Sequence, residues 1–238
     1  MEKLPFFYFK EHSSLDFGLY ITEKGTYKGA QRDVTYTSVA GRSGDLMTDN
    51  GRYKNLDIPY KLTLLNASPR SFSELARLIR NWLLAEQGYF KLWDTYDREY
   101  YRLASFSSEA DIEQELRDLG KLNITFNCKP FRYLLQGQEA ISGTSIQLYN
   151  PEAYESEPYF KISGSGTCYI YINGAAVSIK DVSGYVEIDS EIKDCYKGST
   201  PLNNKMVGNF PTLPPGKNLI TAGAGVSNIE IIPRWRTI

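Results

Sequence analysis

The chain is 238 residues long, carries 27 Lys and Arg against 28 Asp and Glu for a net charge of −1, and is 42% hydrophobic. That length and apolar content can bury one large core or two smaller ones without metal or disulfide support, and two is the better fit. With no basic field, and no window near the roughly 18 unbroken apolar residues of a membrane helix, specific nucleic-acid binding and membrane insertion are both disfavoured.

The 18 Tyr, 11 Phe and 3 Trp, with 19 Gly and 11 Pro, indicate a β-rich chain with many turns. Near the start, the apolar run Phe6–Phe9 gives way to Lys10, Glu11 and His12, so no signal peptide is expected. The stretch from Gly41 to Leu64 reads as a long hairpin. Its Asn50-Gly51 pair suits a type I′ turn, in which both central residues need positive φ. Beyond it Ile58, Tyr60, Leu62 and Leu64 alternate with Asp57, Pro59, Lys61 and Thr63, which predicts one buried face and one wet one. Pro59 has no N–H for a ladder, so this strand is expected at a sheet edge or crossing between partners.

Ser71 and Glu74 then form a capping-box signal. Phe72, Leu75, Ala76, Ile79, Trp82 and Leu83 recur at helical spacing, which predicts one helix over residues 71–86, closed by Gly88 as a left-handed cap. Strands are expected at 89–93 and 99–106 around a turn at 94–97, with a shorter helix at 108–119. Residues 121–128 alternate cleanly, Leu122, Ile124, Phe126 and Cys128 against Lys121, Asn123, Thr125 and Asn127.

Charge usage changes near residue 134: residues 1–133 hold 19 basic and 18 acidic residues, residues 134–238 hold 8 and 10. The segment 134–144, LLQGQEAISGT, reads as a linker. No helical period follows it. Short strands are expected at 145–149, 159–163, 168–172, 175–179, 185–188, 193–196, 218–222 and 226–232, with Asn173-Gly174 as a tight hairpin turn, a pattern that predicts a sandwich or jelly roll.

Little in the sequence points to catalysis. His12 is the single histidine, so any hydrolase triad would have to use it, and it lacks a nucleophile-elbow context. Gly41-Arg42-Ser43-Gly44 has the wrong spacing for such an elbow. Gly223-Ala224-Gly225 precedes a strand instead of a helix, and Gly216-Lys217 lacks the rest of a phosphate loop, so both read as turns. Carboxylates cluster at Asp94, Asp97 and Glu99, and at Glu187, Asp189, Glu191 and Asp194. Charged hairpin ends explain them more simply than a glycosidase pair. Cys128, Cys168 and Cys195 are an odd, widely spaced set, read as buried thiols in a reducing compartment, with a Cys168–Cys195 bridge as the alternative. Asn66-Ala67-Ser68 and Asn123-Ile124-Thr125 match the glycosylation sequon and, without a secretory signal, read as chance matches. No catalytic, cofactor-binding or metal-binding residue is assigned, and no cofactor is expected. The aromatic-rich second half could stack on sugars, although the same residues are ordinary sandwich core material.

Ordered along the chain stand Phe6-Phe7-Tyr8-Phe9, Phe17-Gly18-Leu19-Tyr20-Ile21, Gly41-Arg42-Ser43-Gly44, Asn50-Gly51-Arg52-Tyr53, Trp82-Leu83, Tyr89 to Asp94, Tyr100-Tyr101 and Ile124 to Phe131. Asn150-Pro151, Glu157-Pro158, Ile172-Asn173-Gly174, Ile188 to Glu191, Phe210 to Gly216 and Ile229 to Arg236 follow them. By order and overall length, over nearly the whole chain, these motifs resemble the distal tail protein (Dit) family of siphophages.

The resemblance implies a mainly β fold with one helix in the N-terminal half. Residues 1–133 would form a ring-forming, tail-tube-like split-barrel domain (RIFT-related), with a long hairpin at 35–65 and the helix at 71–86. After the linker at 134–144, residues 145–238 would form a galectin-like β-sandwich. It further implies a non-enzymatic virion structural protein, a baseplate hub whose hexameric ring joins the phage tail tube to the tail tip and host-adsorption apparatus. Its partners would be other copies of itself (a homo-oligomer), the tail tube protein, a tail-associated fibre or lysin and receptor-binding proteins. Its place would be the virion tail tip, after assembly in the bacterial host cytoplasm, from a phage or prophage gene. A carbohydrate-binding host-adhesion module of the baseplate is the alternative. At 238 residues the chain leaves no room for the inserted carbohydrate-binding module, about 100 residues or more, that some members carry.

Overall fold

A computed structural model describes residues 4–25, 29–65, 71–106 and 112–238. The sequon at 66–68 and the first part of the helix expected at 108–119 lie outside them. The protein is mainly β, with 56% of residues in strands, and divides into two compact units, residues 1–132 and 133–237.

The first unit contains β1 (Phe7–Phe9), β2 (His12–Ser13), β3 (Leu19–Lys24), β4 (Arg32–Thr37), β5 (Leu46–Tyr53), β6 (Leu56–Leu64), α1 (Phe72–Leu84), β7 (Phe90–Asp94), β8 (Tyr100–Ser105), α2 (Ile112–Leu119) and β9 (Lys121–Leu134). Its main sheet has the order β2-β1-β7-β8-β9-β6-β3. The Ile21 N–H donates to the Pro5 carbonyl at 2.8 Å, tying β3 back to the segment that enters β1, and the sheet curls into a half-barrel. The predicted alternation holds in β6 and β9: Leu56, Ile58, Tyr60 and Leu62 are buried, as are Leu122, Ile124, Phe126 and Cys128.

Helix α1 closes this core with Leu75, Ala76, Ile79, Trp82 and Leu83. Trp82 stacks on Phe7 and Phe17, with ring centroids 5.5 and 4.5 Å away. Its indole N–H donates to the Phe9 carbonyl at 2.7 Å, which satisfies a buried polar group that would otherwise cost stability. Ser71 caps the helix as expected, its Oγ accepting from the Glu74 N–H at 3.3 Å. The other end corrects the expectation. Helix α1 stops at Leu84 with Ala85 still in right-handed geometry, and Gly88, at φ +149, lies beyond the cap. The Lys10 ammonium takes over, donating to the carbonyls of Leu83 at 3.1 Å and Glu86 at 2.6 Å, a cation where the helix dipole favours one.

Pro59 overturns the prediction of an edge strand. Strand β6 lies between β9 and β3, with Pro59 opposite Thr125. Its carbonyl accepts from the Gly25 N–H at 3.2 Å, on the side where β3 ends with Lys24 opposite Tyr60. The absent N–H therefore points where the neighbouring ladder has already run out, so an interior strand tolerates it.

The second unit contains β10 (Ile141–Gly143), β11 (Ser145–Asn150), β12 (Tyr159–Ile172), β13 (Ala175–Asp189), β14 (Asp194–Lys197), β15 (Thr200–Pro201), β16 (Met206–Val207), β17 (Gly216–Ala222), β18 (Val226–Ile232) and β19 (Arg236–Thr237). Residues 134–144, expected as a linker, instead form a 3-10 turn at Leu135–Gln138 and the paired strand β10. The four short strands expected at 159–163, 168–172, 175–179 and 185–188 are two long ones. Strand β12 pairs with β18 along Tyr159–Gly164 and with β17 along Ile170–Ile172, so one strand serves both layers of the sandwich. It bends between them at a bulge where Gly166 adopts φ +72, and a Cβ at Gly164 would meet the Gly225 carbonyl oxygen at 2.1 Å. Glycines read as turn punctuation thus act as bends within continuous strands. Asn173-Gly174 does close the β12–β13 hairpin, with φ values of +51 and +86. All three cysteines are free, buried thiols, and burial pushes Cys128 up to about 12 and Cys195 to about 11.

Candidate interaction arm

Among the described residues, strands β4 and β5 pair only with each other, forming a two-stranded sheet separate from the half-barrel. The register places Val34 opposite Asp49, Thr35 opposite Thr48, Tyr36 opposite Met47 and Thr37 opposite Leu46. Directly opposed residues share a face, so Tyr36 and Met47 lie side by side. They are 62% and 58% exposed, and Leu46 and Val39 near the tip are 46% and 44% exposed.

The reversal lies between Thr37 and Leu46, where Gly41 and Gly44 adopt φ +75 and +84. The predicted turn at Asn50-Gly51 is corrected: both residues lie inside β5. Between the paired positions Arg32–Tyr53 and Val34–Asp49, three residues of β5 face Asp33 alone, with Gly51 at φ +72. This is a bulge. Gly51 supplies the positive φ that a bulge and a tight turn both need, and the register decides which forms. The expected hairpin therefore starts earlier, at Arg32, where the alternating run RDVTYT carried the signal.

Ion pairs hold the arm in shape. Arg32 grips Asp49 bidentately, Nε to Oδ1 at 3.1 Å and Nη2 to Oδ2 at 2.7 Å, and its guanidinium lies over the Tyr53 ring at 4.9 Å. Across the bulge, Asp33 pairs with Arg52 at 2.7 Å and Lys54 at 3.6 Å. The Arg52 hydrogen bond holds the Asp33 carboxyl below the usual carboxylate range. The Arg32 hydrogen bond, helped by the Gly51 N–H, does the same for Asp49. At the base, Tyr53 meets Phe131 edge-on at 5.9 Å. The arm thus has charge pairs to fix its register and no apolar core of its own, an arrangement that is marginal for an isolated hairpin in water.

Most of the carboxylates weighed for catalysis make structural contacts. His12 is exposed beside Asp16, with Nδ1 3.7 Å from Oδ2. Asp94 accepts from the Tyr60 hydroxyl at 2.6 Å and from the Tyr96 and Asp97 N–H groups, and lies 3.3 Å from the Lys24 ammonium. Asp97 pairs with Arg132 at 2.9 Å. In the second cluster Asp189 is gripped by both terminal nitrogens of Arg234, at 2.7 and 2.9 Å. Glu187 accepts from the Tyr159 hydroxyl at 2.6 Å, and burial together with that carboxylate pushes the phenol's pKa up. Among the described residues no three His, Cys, Asp or Glu side chains converge to hold a metal ion.

No protein-family model matches the sequence, and no curated protein matches it. Among solved structures, the chain is similar to the Dit protein (gp 19.1) of SPP1, described as a paradigm of the hub adsorption apparatus in phages that infect Gram-positive bacteria. The similarity covers 96% of this chain and 98% of that one, with a TM-score of 0.69 and 11% sequence identity. At that identity what the two share is the fold: a curled half-barrel unit followed by a β-sandwich unit along a single chain.

Proposed function

We propose that this protein is a non-enzymatic structural component of a phage tail, a baseplate hub whose copies form a ring, hexameric in the full assembly. That ring joins the tail tube to the tail tip and adsorption apparatus, with a tube protein on one side and a fibre or lysin on the other. The half-barrel unit forms the ring, and the second unit is a galectin-like sandwich in this reading. The observation that carries the proposal is the arm: a separate two-stranded sheet with an exposed apolar tip and no core, on a fold similar to that of a phage hub protein. Burying Tyr36 and Met47 against a neighbouring copy would contribute about 1.5–3 kcal/mol per side chain, and a head-to-tail contact of this kind closes into a ring when its rotation matches the subunit number.

Sedimentation of the wild type against a Tyr36→Ser/Met47→Ser double variant tests this. The wild type should form closed oligomers at high concentration or within assembled tails, while the variant stays monomeric with an unchanged circular dichroism spectrum. A wild type that is strictly monomeric and absent from tails overturns the proposal, as does a variant that assembles normally.

A further inference from the structure

The sequence holds two Asn-Gly pairs, Asn50-Gly51 and Asn173-Gly174. Asparagine is among the thermolabile residues, and a following glycine has no Cβ to keep its backbone nitrogen away from the side-chain amide carbon. Both pairs are exposed, and a Cβ at Gly51 or at Gly174 would meet nothing within 4 Å. Neither access nor crowding therefore separates them. What separates them is how each asparagine is held.

The Asn173 side chain is held at both ends by β17. Its Nδ2 donates to Asn218 Oδ1 at 2.8 Å and its Oδ1 accepts from the Leu219 N–H at 2.8 Å, while its own N–H donates to the Leu219 carbonyl at 2.8 Å. Ile172, just before it, is buried in the sandwich core. Turning the Asn173 amide carbon toward the Gly174 nitrogen breaks both side-chain bonds. Asn50 is held through Nδ2 alone, which donates to Thr35 Oγ1 at 3.2 Å and to the Asp33 carboxylate. Both partners lie on β4, in the arm that has no apolar core, where local opening costs least. The Gly51 N–H donates to Asp49 Oδ1 at 2.9 Å, a contact within β5 that does not tie the nitrogen to the rest of the fold.

We propose that Asn50 is a site of spontaneous deamidation that remodels the arm, and that Asn173 is protected from the same reaction. The Gly51 nitrogen attacks Asn50 Cγ. The new N–C bond closes a succinimide ring as the Cγ–Nδ2 bond breaks, and the proton lost by the Gly51 nitrogen departs with Nδ2 as ammonia. Water then adds across one of the two ring C–N bonds, giving aspartate or, with an extra methylene in the main chain, isoaspartate. Either product replaces an amide donor by a carboxylate beside Asp33 and Asp49, where like charges repel. Isoaspartate also lengthens the backbone inside the bulge that sets the β4–β5 register. The reaction takes place within a single subunit, so its failure would leave the ring reading intact.

The experiment holds purified full-length protein in warm, mildly alkaline buffer and follows proteolytic peptides covering both pairs by mass spectrometry, with isoaspartate resolved from aspartate. Position 50 should convert about tenfold or more faster than position 173, and in urea the two rates should converge. In the converted protein, amide shifts should move in β4 and β5 and stay in place in the second unit, and an Asn50→Asp variant should reproduce the aspartate part of that change. An intact position 50 overturns the proposal, as does conversion at 173 as fast as at 50. A rate ratio that survives in urea, or converted arms with unchanged amide shifts, overturns it too.

Discussion

The β4–β5 and β12–β13 hairpins are both antiparallel ribbons that contain an Asn-Gly pair, and they are stabilised in opposite ways. The β12–β13 ribbon buries Phe160, Ile162, Ile170, Val177, Ile179, Val186 and Ile188, and its cross-strand pairs are fixed by packing on the sandwich core. In the arm, Asp33 is the one largely buried residue of either strand, and it is covered by Arg52 and Lys54. One ribbon is held by the hydrophobic effect, which needs no partner. The other is held by exposed charge pairs, which set a shape and contribute little stability, leaving its apolar tip available to another surface.

The largest separation should come from truncating one side chain in each. Phe160→Ala removes a fully buried ring and should destabilise the second unit by about 3–5 kcal/mol in urea titrations. Tyr36→Ala should leave the unfolding midpoint where it was. Equal effects would break the contrast.

A smaller difference is expected between two arginines with similar bidentate geometry. Arg234 and Asp189 are mostly covered, with side-chain exposures of 20% and 11%, and Arg234→Ala should cost about 2 kcal/mol. Arg32→Ala, at an exposed pair, should be silent in the same assay and detectable only as altered amide shifts in β4 and β5.

The smallest effect is a pH response confined to the arm. Asp33 and Asp49 have lowered folded-state values, so their contribution is present above the unfolded carboxylate value near pH 4 and is lost as pH falls through the folded values. Amide spectra recorded on acidification should show β4 and β5 loosening before the cores of either unit. Simultaneous loss everywhere would mean that the arm is not separately held.

Legibility in the sequence follows the same division. Where one face is buried, period-two alternation located β6 and β9, and period-3.6 spacing located α1. Asn173-Gly174 was readable as a turn because apolar strands flank it on both sides. Asn50-Gly51 carries the same dipeptide between polar residues, where no burial fixes the register, and its single positive φ at Gly51 serves a bulge. The merging of four expected strands into β12 and β13 was hidden because Gly164, Gly166 and Gly184 look like turn residues, and only their pairing partners show that the strands continue through the bend. Nor could the sequence show that Lys10 caps a helix more than 70 positions away.

The continuity of β12 through both layers has a mechanical consequence. In a sandwich whose sheets share no strand, a shearing load is resisted only by side chains packed between the layers. Here the covalent backbone of β12 passes from one layer into the other, so sliding them apart would require unzipping its ladders with β13, β17 and β18 along their lengths. A unit wired in this way resists shear between its layers through its backbone as well as its packing.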